Sequence, residues 1–274
     1  MVTGRTSVII PSRNEIYLKR TIQDLLEHST GDVEIIAVVD GYWPDRSEIV
    51  EDSRVRYLHF GEPKGMRNAI NQAVAISTGE FLLKSDAHCS FSEMYDEVLK
   101  KDLENNWIAV PRRYALDPVK WELENNPKYP VDYMYLSNDL HGNIWDEKNK
   151  DEALKEKTID DLMSAQGSCW FMKRNYFDFL ELLDEKTYGT FWSEFQEIGL
   201  KCWLSGGRVI VNKKTFYSHW HKPSSVGRGY NLPHGEKEQT GQMVNKWLTE
   251  KVWHKQTQDI QWLVNKFAPV PTWT

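Results

Sequence analysis

The sequence lacks the features that would place it in a membrane or a secretory route. Its 274 residues contain no run of about 18 apolar residues, so we expect no membrane span. The N-terminus has neither the apolar stretch nor the cleavage site of a secretory signal. Three cysteines, widely spaced and odd in number, favour free thiols in a reducing compartment over a disulfide framework. We therefore expect a cytoplasmic protein that does not contact membranes.

Charge of both signs is present, but it is unevenly distributed. The formal net charge is −6, which argues weakly against a nucleic-acid partner. Residues 201–274 carry eleven Lys and Arg against four Asp and Glu. This basic segment could form a face for an anionic partner, or it could be the solvated surface of a helix. The charge pattern alone leaves both interpretations open.

Strand and helix patterns alternate over the first hundred residues. Strand patterns occupy residues 6–11, 33–40, 55–60 and 80–86, and helical patterns occupy residues 15–28 and 65–77. Such alternation predicts an α/β fold with a parallel sheet covered by helices. The ligand crevice of a parallel sheet lies at the carboxyl ends of its strands. Asp40 and Asp86, each at a predicted strand end, should therefore border one crevice.

The rest of the chain is less regular. Residues 112–163, rich in Pro, Asn, Tyr and charge, have no clear period and predict an elaborate loop region that lines the site. A strand then a helix are expected over 167–180, a helix over 193–207, a strand over 208–212 and a Trp-containing helix over 242–267. We expect one domain over residues 1–230, with residues 112–163 inserted, and a C-terminal helical extension over 231–274 packed on it.

The stretch FLLKSDAH ends an apolar strand in a carboxylate and an imidazole. Alternate residues of an extended strand face the same side, so Asp86 and His88 could hold one ion together. A carboxylate plus an imidazole suits Mn²⁺, Co²⁺ or Zn²⁺ better than Ca²⁺. On these two residues alone, a capped turn or a surface pair is the commoner explanation.

Five motifs in order resemble those of the GT-A nucleotide-sugar glycosyltransferases, in the family-2-like group and most of all the polypeptide N-acetylgalactosaminyltransferases. They are SVIIPSRNE (7–15), EIIAVVDG (34–41), GMRNAINQAVAISTGEFLLKSDAH (65–88), GSCWFMKRNYF (167–177) and FWSEFQEIGLKCWLSGGRVIVNKKTFYSH (191–219). The resemblance implies a GT-A, Rossmann-like fold with a mostly parallel sheet flanked by helices. It also implies a glycosyltransferase that moves a sugar from a UDP-sugar to a hydroxyl acceptor with Mn²⁺ or Mg²⁺.

The resemblance also implies where the sugar donor and its metal bind. The metal ligands would be Asp86, His88 and His219, with His221 as a rival to His219. Asp40 would accept a hydrogen bond from uracil N3–H, although an Asp before Gly41 can simply form a turn. The sugar-donor site would comprise Pro11, Arg13, Glu15, Asp40, Arg67, Ala87, Lys222, Arg228 and Tyr230. We expect the loop that contains the last three to be mobile until the sugar donor binds. Arg67 would pair with the diphosphate, unless it lies on a solvated helix face.

Catalysis would centre on Glu194 and Asp86. In an inverting enzyme Glu194 would be the general base for the acceptor hydroxyl, whereas in a retaining enzyme it would only position the acceptor. Asp-x-His with a later His favours retention. Gly167, Trp170 and Trp192 would contact the sugar or the acceptor, although core packing is the commoner role of Trp.

The acceptor is not determined by the sequence. A glycan or a small molecule is one possibility, and a hydroxymethylated base in DNA is another, compatible with the basic last third of the chain. A non-catalytic protein that binds nucleotide sugars is a second alternative. The chain also departs from the motifs, with Val39, Ile70 and Phe195 where relatives often have an acid, a Gly and an Asp. The change at Phe195 makes the identity of any catalytic base uncertain.

Overall fold

The computed structural model describes residues 1–223 and 225–273. Within them there are twelve strands, of which ten form one mixed sheet. The strands are β1 (Val2–Ser12), β2 (Val33–Asp40), β3 (Val55–Phe60), β4 (Gly79–Ser85), β5 (Cys89–Phe91), β6 (Trp107–Asp117), β7 (Glu122–Leu123), β8 (Met134–Leu136), β9 (Gly142–Ile144), β10 (Ile159–Asp161), β11 (Cys169–Lys173) and β12 (Arg208–His219). Eight of them run in the order β10-β12-β6-β11-β4-β1-β2-β3, with β5 on β12 and β7 on β6, while β8 and β9 pair separately.

Helices cover this sheet and follow most of the expected patterns. They are α1 (Leu18–His28), α2 (Met66–Ile76), α3 (Tyr95–Lys101), α4 (Asp146–Lys150), α5 (Glu152–Lys155), α6 (Arg174–Leu180), α7 (Glu185–Tyr188), α8 (Glu194–Leu204), α9 (Glu236–Asn245) and α10 (Ile260–Phe267), with 3-10 turns at Arg46–Glu48 and Lys246–Leu248. Helical spacing puts Ile22 and Leu25 of α1 and Ile70 and Val74 of α2 on buried faces.

The first half of the sheet is parallel, as the alternating pattern predicts. Strand β2 is buried along its whole length, which suits its run of Val and Ile, since helices cover both faces of a parallel sheet. Ile9 of β1 pairs with Ile36 of β2 on one side and Lys84 of β4 on the other. The carboxyl ends of β1, β2 and β4 consequently meet at one edge of the sheet.

The second half of the sheet mixes directions. Strand β11 is antiparallel to β4 and β6, and β12 is parallel to β6. Strand β12 extends to His219, seven residues beyond the predicted end at residue 212. Its last residue pairs with Cys89 of β5 and with Ala115 of β6. This extension carries His219 to the edge where β4 ends.

The region 112–163 is more structured than its composition suggested. It contains the end of β6, the pairs β6–β7 and β8–β9, helices α4 and α5, and β10, which adds to the free side of β12. The expectation of an elaborate loop region is therefore wrong as to these short elements, although residues of the region line the cleft described below. Each element is only two to five residues long after residue 117, too short for a helical or strand period to show in the sequence.

The C-terminal segment packs on the rest of the chain through tryptophans. Trp247 Nε1 donates to the Tyr188 hydroxyl at 2.8 Å, and Trp253 Nε1 donates to Glu181 at 2.9 Å. The single helix expected over 242–267 is wrong, because α9 and α10 are separated by a non-helical stretch at residues 249–259. The domain boundary near residue 230 stays a prediction. None of the described helices has both the length and the apolar character needed to cross a bilayer.

Candidate active site

A cleft of about 1480 Å³ opens at the edge where β1, β2 and β4 end. The expected site residues that line it are Pro11, Arg13, Glu15, Asp40, Asp86, Ala87, His88, Gly167, Trp192, Glu194, His219, Lys222, Arg228 and Tyr230. The sheet topology explains this convergence, because ligands of α/β sheets bind beyond the carboxyl ends of the strands. Most of the predicted residues thus share one cavity.

Asp86, His88 and His219 form a compact group in this cleft. One potential ligand atom from each lies within 4.8 Å of the others. Asp86 Oδ2 is 3.2 Å from His219 Nε2 and 4.0 Å from His88 Nε2. Strand β4 ends at Ser85, so Asp86 and His88 lie in the turn before β5. Strand alternation therefore does not bring Asp86 and His88 together as the sequence predicted; the turn does.

The electrostatics of this group suit a divalent cation. Burial opposes ionisation of Asp86, but Lys84 and His219 outweigh it and hold the pKa of Asp86 well below its usual range. Burial lowers the pKa of His219 to about 3, so this imidazole is neutral and has a lone pair to offer. Its Nδ1 is buried without a hydrogen-bond partner among the described residues. One carboxylate and two imidazoles match Mn²⁺ better than Ca²⁺.

His221, the rival ligand, lies outside this group in the described part of the chain. Its ring centroid is 4.6 Å from that of His219 and 5.8 Å from that of Tyr129. His221 therefore belongs to the wall of the cleft beyond the cluster.

Lys84 is the most important residue that sequence reasoning missed. It is 1% exposed, and its Nζ lies 2.6 Å from Asp86 Oδ1, 2.6 Å from the Gly167 carbonyl and 3.4 Å from Glu194 Oε2. Burial would lower the pKa of this amine, but the two carboxylates raise it above its ordinary value. A lysine inside an apolar central strand was the available signal, because buried lysines are almost always paired.

Glu194 lies at the start of α8 and faces Lys84. It is 7% exposed, and its Oε1 accepts a hydrogen bond from Trp170 Nε1 at 2.7 Å. Burial raises the pKa of Glu194, an effect that Lys84 opposes. Gly167 allows this arrangement, because a Cβ there would lie 2.6 Å from Glu194 Oε2. The three residues form one tightly packed corner of the cleft.

The two loops predicted to bind the sugar donor meet in the cleft. Glu15 accepts from Lys222 Nζ at 2.5 Å and lies 3.2 Å from His88 Nδ1. Burial would raise the pKa of Glu15, but His88 and Lys222 together have the larger opposite effect and hold it below its ordinary value. Arg13 lies over the ring of Tyr230, and Arg228 lies over the ring of Trp192. Ser224, part of the expected lid, lies outside the described residues, and the mobility of this loop stays a prediction.

Asp40 reaches the cleft with its carboxylate already engaged. The backbone N–H groups of Lys64 and Gly65 donate to its two oxygens at 2.6 and 2.9 Å. These bonds fix the loop that leads into α2 and leave further lone pairs on the carboxylate. They join Asp40 to a loop 24 residues further along the chain and not to the turn at Gly41, and uracil recognition by Asp40 stays a prediction.

Two predicted site residues lie elsewhere. Arg67 is fully buried, and its guanidinium binds the Glu197 carboxylate and the Trp192 carbonyl instead of facing the cleft. Both its predicted role at the diphosphate and the solvated alternative are wrong, because a buried guanidinium needs an internal carboxylate. Trp170 is also fully buried and touches Glu194 rather than the cavity. Direct contact of Trp170 with sugar or acceptor is therefore wrong.

The far wall of the cleft contains residues that the sequence did not single out. They come largely from the region 112–168 and include Arg113, Asn126, Lys128, Tyr129, Met134, His141, Asn143 and Gln166. Phe191 and Trp220 are further aromatic residues of the lining. No motif marks these positions, because they converge only through the short elements between β6 and β11.

Sequence comparisons place the chain among glycosyltransferases. The glycosyltransferase GlyG of Streptococcus pneumoniae is 25% identical over 175 residues, covering 60% of this chain and 50% of GlyG. Polypeptide N-acetylgalactosaminyltransferase 3 is 28% identical over 247 residues in Mus musculus and 25% identical over 295 in Homo sapiens. These matches cover 80% and 96% of this chain but 37% and 44% of the relatives. The chain thus spans half or less of the length of all three.

Structural comparison supports the predicted fold. GalNAc-T7, in a crystal structure with UDP, GalNAc and Mn²⁺, superposes with a TM-score of 0.74 at 16% identity, covering 96% of this chain and 56% of that one. S. aureus TarS 1-349 gives a TM-score of 0.54 at 13% identity, over 79% and 60% of the two chains. The GT-A prediction of a sheet flanked by helices is confirmed. Residues 7–180 match the glycosyl transferase family 2 domain, and the chain therefore belongs to that family.

Proposed function

We propose that this protein transfers a sugar from a UDP-sugar to a hydroxyl acceptor, with retention and with Mn²⁺, or Mg²⁺, at Asp86, His88 and His219. The observation that carries the proposal is the convergence of these three side chains inside the large cleft. Support comes from GalNAc-T7, whose solved structure contains UDP, GalNAc and Mn²⁺ and shares the fold. Family 2 membership supports a nucleotide sugar as the substrate class.

Residues of the cleft would have separate roles around the diphosphate. A cation bound by Asp86, His88 and His219 would neutralise charge on the diphosphate as it leaves. Lys222 and Arg228, from the loop above, would approach the phosphates from the other side, as in other lids that close over a substrate. Pro11, Arg13 and Asp40 lie at the strand ends where the nucleoside would bind.

The surroundings of Glu194 support a positioning role and hence retention. Its Oε1 is occupied by the Trp170 indole, and the Lys84 ammonium lies near its Oε2. A general base needs a free, accessible oxygen within hydrogen-bond reach of the acceptor hydroxyl. In the proposed step, the acceptor oxygen bonds to the anomeric carbon, the bond from that carbon to the phosphate oxygen breaks, and the hydroxyl proton passes to the departing phosphate.

The test measures hydrolysis of sugar nucleotides. UDP-, GDP- and TDP-sugars are each incubated with the protein and Mn²⁺, and release of the nucleotide is followed with and without EDTA. We expect slow release from a UDP-sugar, which EDTA abolishes and Mn²⁺ restores. Asp86→Ala should abolish it as well, whereas Asp178→Ala, an exposed carboxylate on α6, should not. Release from no sugar nucleotide would refute the proposal, and an inverted anomeric product by NMR would refute retention.

The other interpretations have weaker support. The relatives do not favour a DNA-modifying enzyme or a non-catalytic protein that binds nucleotide sugars. Nucleotide release separates the last case, because a protein that only binds nucleotide sugars would be stabilised by UDP and Mn²⁺ without releasing nucleotide from the sugar donor. A transferase should be stabilised by UDP and Mn²⁺ together more than by either alone.

A further inference from the structure

Arg113 is a buried cation in the cleft wall that has no counter-ion among residues 1–223 and 225–273. Its side chain is 5% exposed, yet it lines the cavity. The guanidinium donates to Gln166 Oε1 and lies 3.8 Å from Met134 Sδ. No carboxylate among the described residues lies within salt-bridge distance of it. An amide oxygen and a thioether compensate a buried positive charge poorly, so the site is incomplete without an anion.

Arg112, the preceding residue on β6, is an arginine whose charge is paired with a carboxylate. Arg112 is partly exposed and lies next to Arg113 on β6. Its Nε and one terminal nitrogen donate to the two oxygens of Asp132 at 2.8 and 2.7 Å. This paired fork is the geometry with which arginine binds a carboxylate or a phosphate. Arg113 lines the cleft, and its two terminal nitrogens contact Gln166 and Met134 where Arg112 has a carboxylate from the described residues.

The backbone register places Arg113 beside the reacting groups. Arg113 of β6 pairs with Tyr217 of β12, two residues before the metal ligand His219. Its partner Gln166 is followed by Gly167, whose carbonyl binds Lys84 and whose Cα faces Glu194. Arg113 therefore lies in the cleft wall one residue contact away from the corner formed by Gly167, Lys84 and Glu194. Under the proposed function the sugar donor binds residues at the ends of β1 and β2 and in the segment that contains Lys222 and Arg228, which leaves this wall for an acceptor.

The composition of this wall indicates what it would bind. Residues 113–168 contribute two cations, Arg113 and Lys128, to the lining, along with the side-chain amides of Asn126, Asn143 and Gln166 and the ring of Tyr129. Among described residues, none of the lining carboxylates comes from this region. Amides and an aromatic ring suit sugar hydroxyls and a sugar face, and the fork suits one oxyanion. A nucleic acid would need a row of cations along its backbone.

We propose that the acceptor is an anionic carbohydrate, whose carboxylate or phosphate binds the Arg113 fork next to the accepting hydroxyl. This inference rests on the proposed function, because it assigns the second substrate of the same site. Carboxylate and phosphate share the bidentate chemistry that arginine recognises.

The test compares the binding of three sugars by ligand-observed NMR. Glucuronate, glucose 6-phosphate and glucose are titrated with UDP and Mg²⁺ present, so that the diphosphate subsite is occupied. We expect at least one anionic sugar to bind about 10- to 100-fold more tightly than glucose, the range for a hydrogen-bonded charged group. The preference between carboxylate and phosphate identifies the source of the anion. Arg113→Gln should remove the difference, Arg113→Lys should retain part of it, and Arg112→Gln is the matched control.

Four results of these measurements would contradict the inference or the proposed function. Equal affinity of wild type for charged and neutral sugars overturns the inference, even if nucleotide release shows that the protein is a transferase. Failure of nucleotide release with intact anion selectivity refutes the proposed function instead. Loss of anion binding when UDP is added, or weaker UDP binding in Arg113→Gln, would assign the fork to the sugar donor. Binding of single-stranded DNA with a steep salt dependence, lost in Arg113→Gln, would assign it to a nucleic acid.

Discussion

The buried ammonium of Lys84 makes a sharp prediction about stability. Lys84→Met keeps the length of the side chain but removes the charge between Asp86 and Glu194. Two carboxylates would then face each other and the Gly167 carbonyl with no cation in the apo protein. We expect the folded state to be strongly destabilised, although Asp86 is partly exposed and water can relieve some of the cost.

The magnitude follows from the burial of the pair. Removing one partner of a buried ion pair costs roughly 3–5 kcal/mol of unfolding free energy, and the exposure of Asp86 favours the lower part of that range. Domains of about this size lose roughly 2–4 °C of melting temperature per kcal/mol, so a fall of roughly 6–20 °C is expected. The remaining hydrogen bond from Trp170 keeps Glu194 partly satisfied.

Thermal and urea unfolding by circular dichroism measure this difference. Lys173→Met is the matched control, because Lys173 lies on β11 beside β4 and its Nζ binds Asn105 at the surface. Its loss should cost less than about 1 kcal/mol, as for other exposed polar pairs. If Lys84→Met melts within about 2 °C of Lys173→Met, the ion-pair network is not what stabilises this corner.

Further predictions test other parts of the site. Asp86→Ala should weaken Mn²⁺ binding, measured by EPR, and slow transfer roughly a thousandfold, since metal charge stabilisation is worth several kcal/mol; unchanged turnover would remove Asp86 from the site. Gly167→Ala should displace Glu194 and lower kcat about tenfold or more in steady-state assays. Gly199→Ala, with only an ordinary 3.5 Å contact, is its control. Arg67→Met should cost about 3–5 kcal/mol in urea unfolding but leave UDP affinity by calorimetry unchanged; weaker UDP binding would restore its predicted role.

The parallel half of the fold could be predicted from local pattern. Strands β2 and β3 have the bounds that their apolar runs indicated, and helices α1 and α2 begin or end within a few residues of expectation. Strand β2 is covered on both faces, so burial selects a continuous β-branched run that is visible without any partner. The resemblance of the five motifs, in order, then predicted the GT-A architecture and the cluster of Asp86, His88 and His219.

The parts that could not be predicted depend on tertiary register. Strand β12 shifts register against β6 between Asn212 and Phe216, and this irregularity carries His219 to the cluster. Nothing in the local pattern separates a strand that ends at residue 212 from one that continues through such a shift. Arg67 illustrates the same limit, because its partner Glu197 is 130 residues away. Whether an arginine is a ligand contact or a buried structural cation is decided by which helix packs against it.

The charged residues that line the cleft favour anionic ligands. Every carboxylate of the lining is engaged: Glu15 by Lys222, Asp40 by backbone N–H groups, and Asp86 and Glu194 by Lys84. Three arginines of the described lining, Arg13, Arg113 and Arg228, contact aromatic rings or an amide but no carboxylate. A cavity with its acids neutralised and its arginines unpaired attracts anions. If the diphosphate binds Arg13 and Arg228, as proposed, Arg113 is left for the anion that we propose on the acceptor.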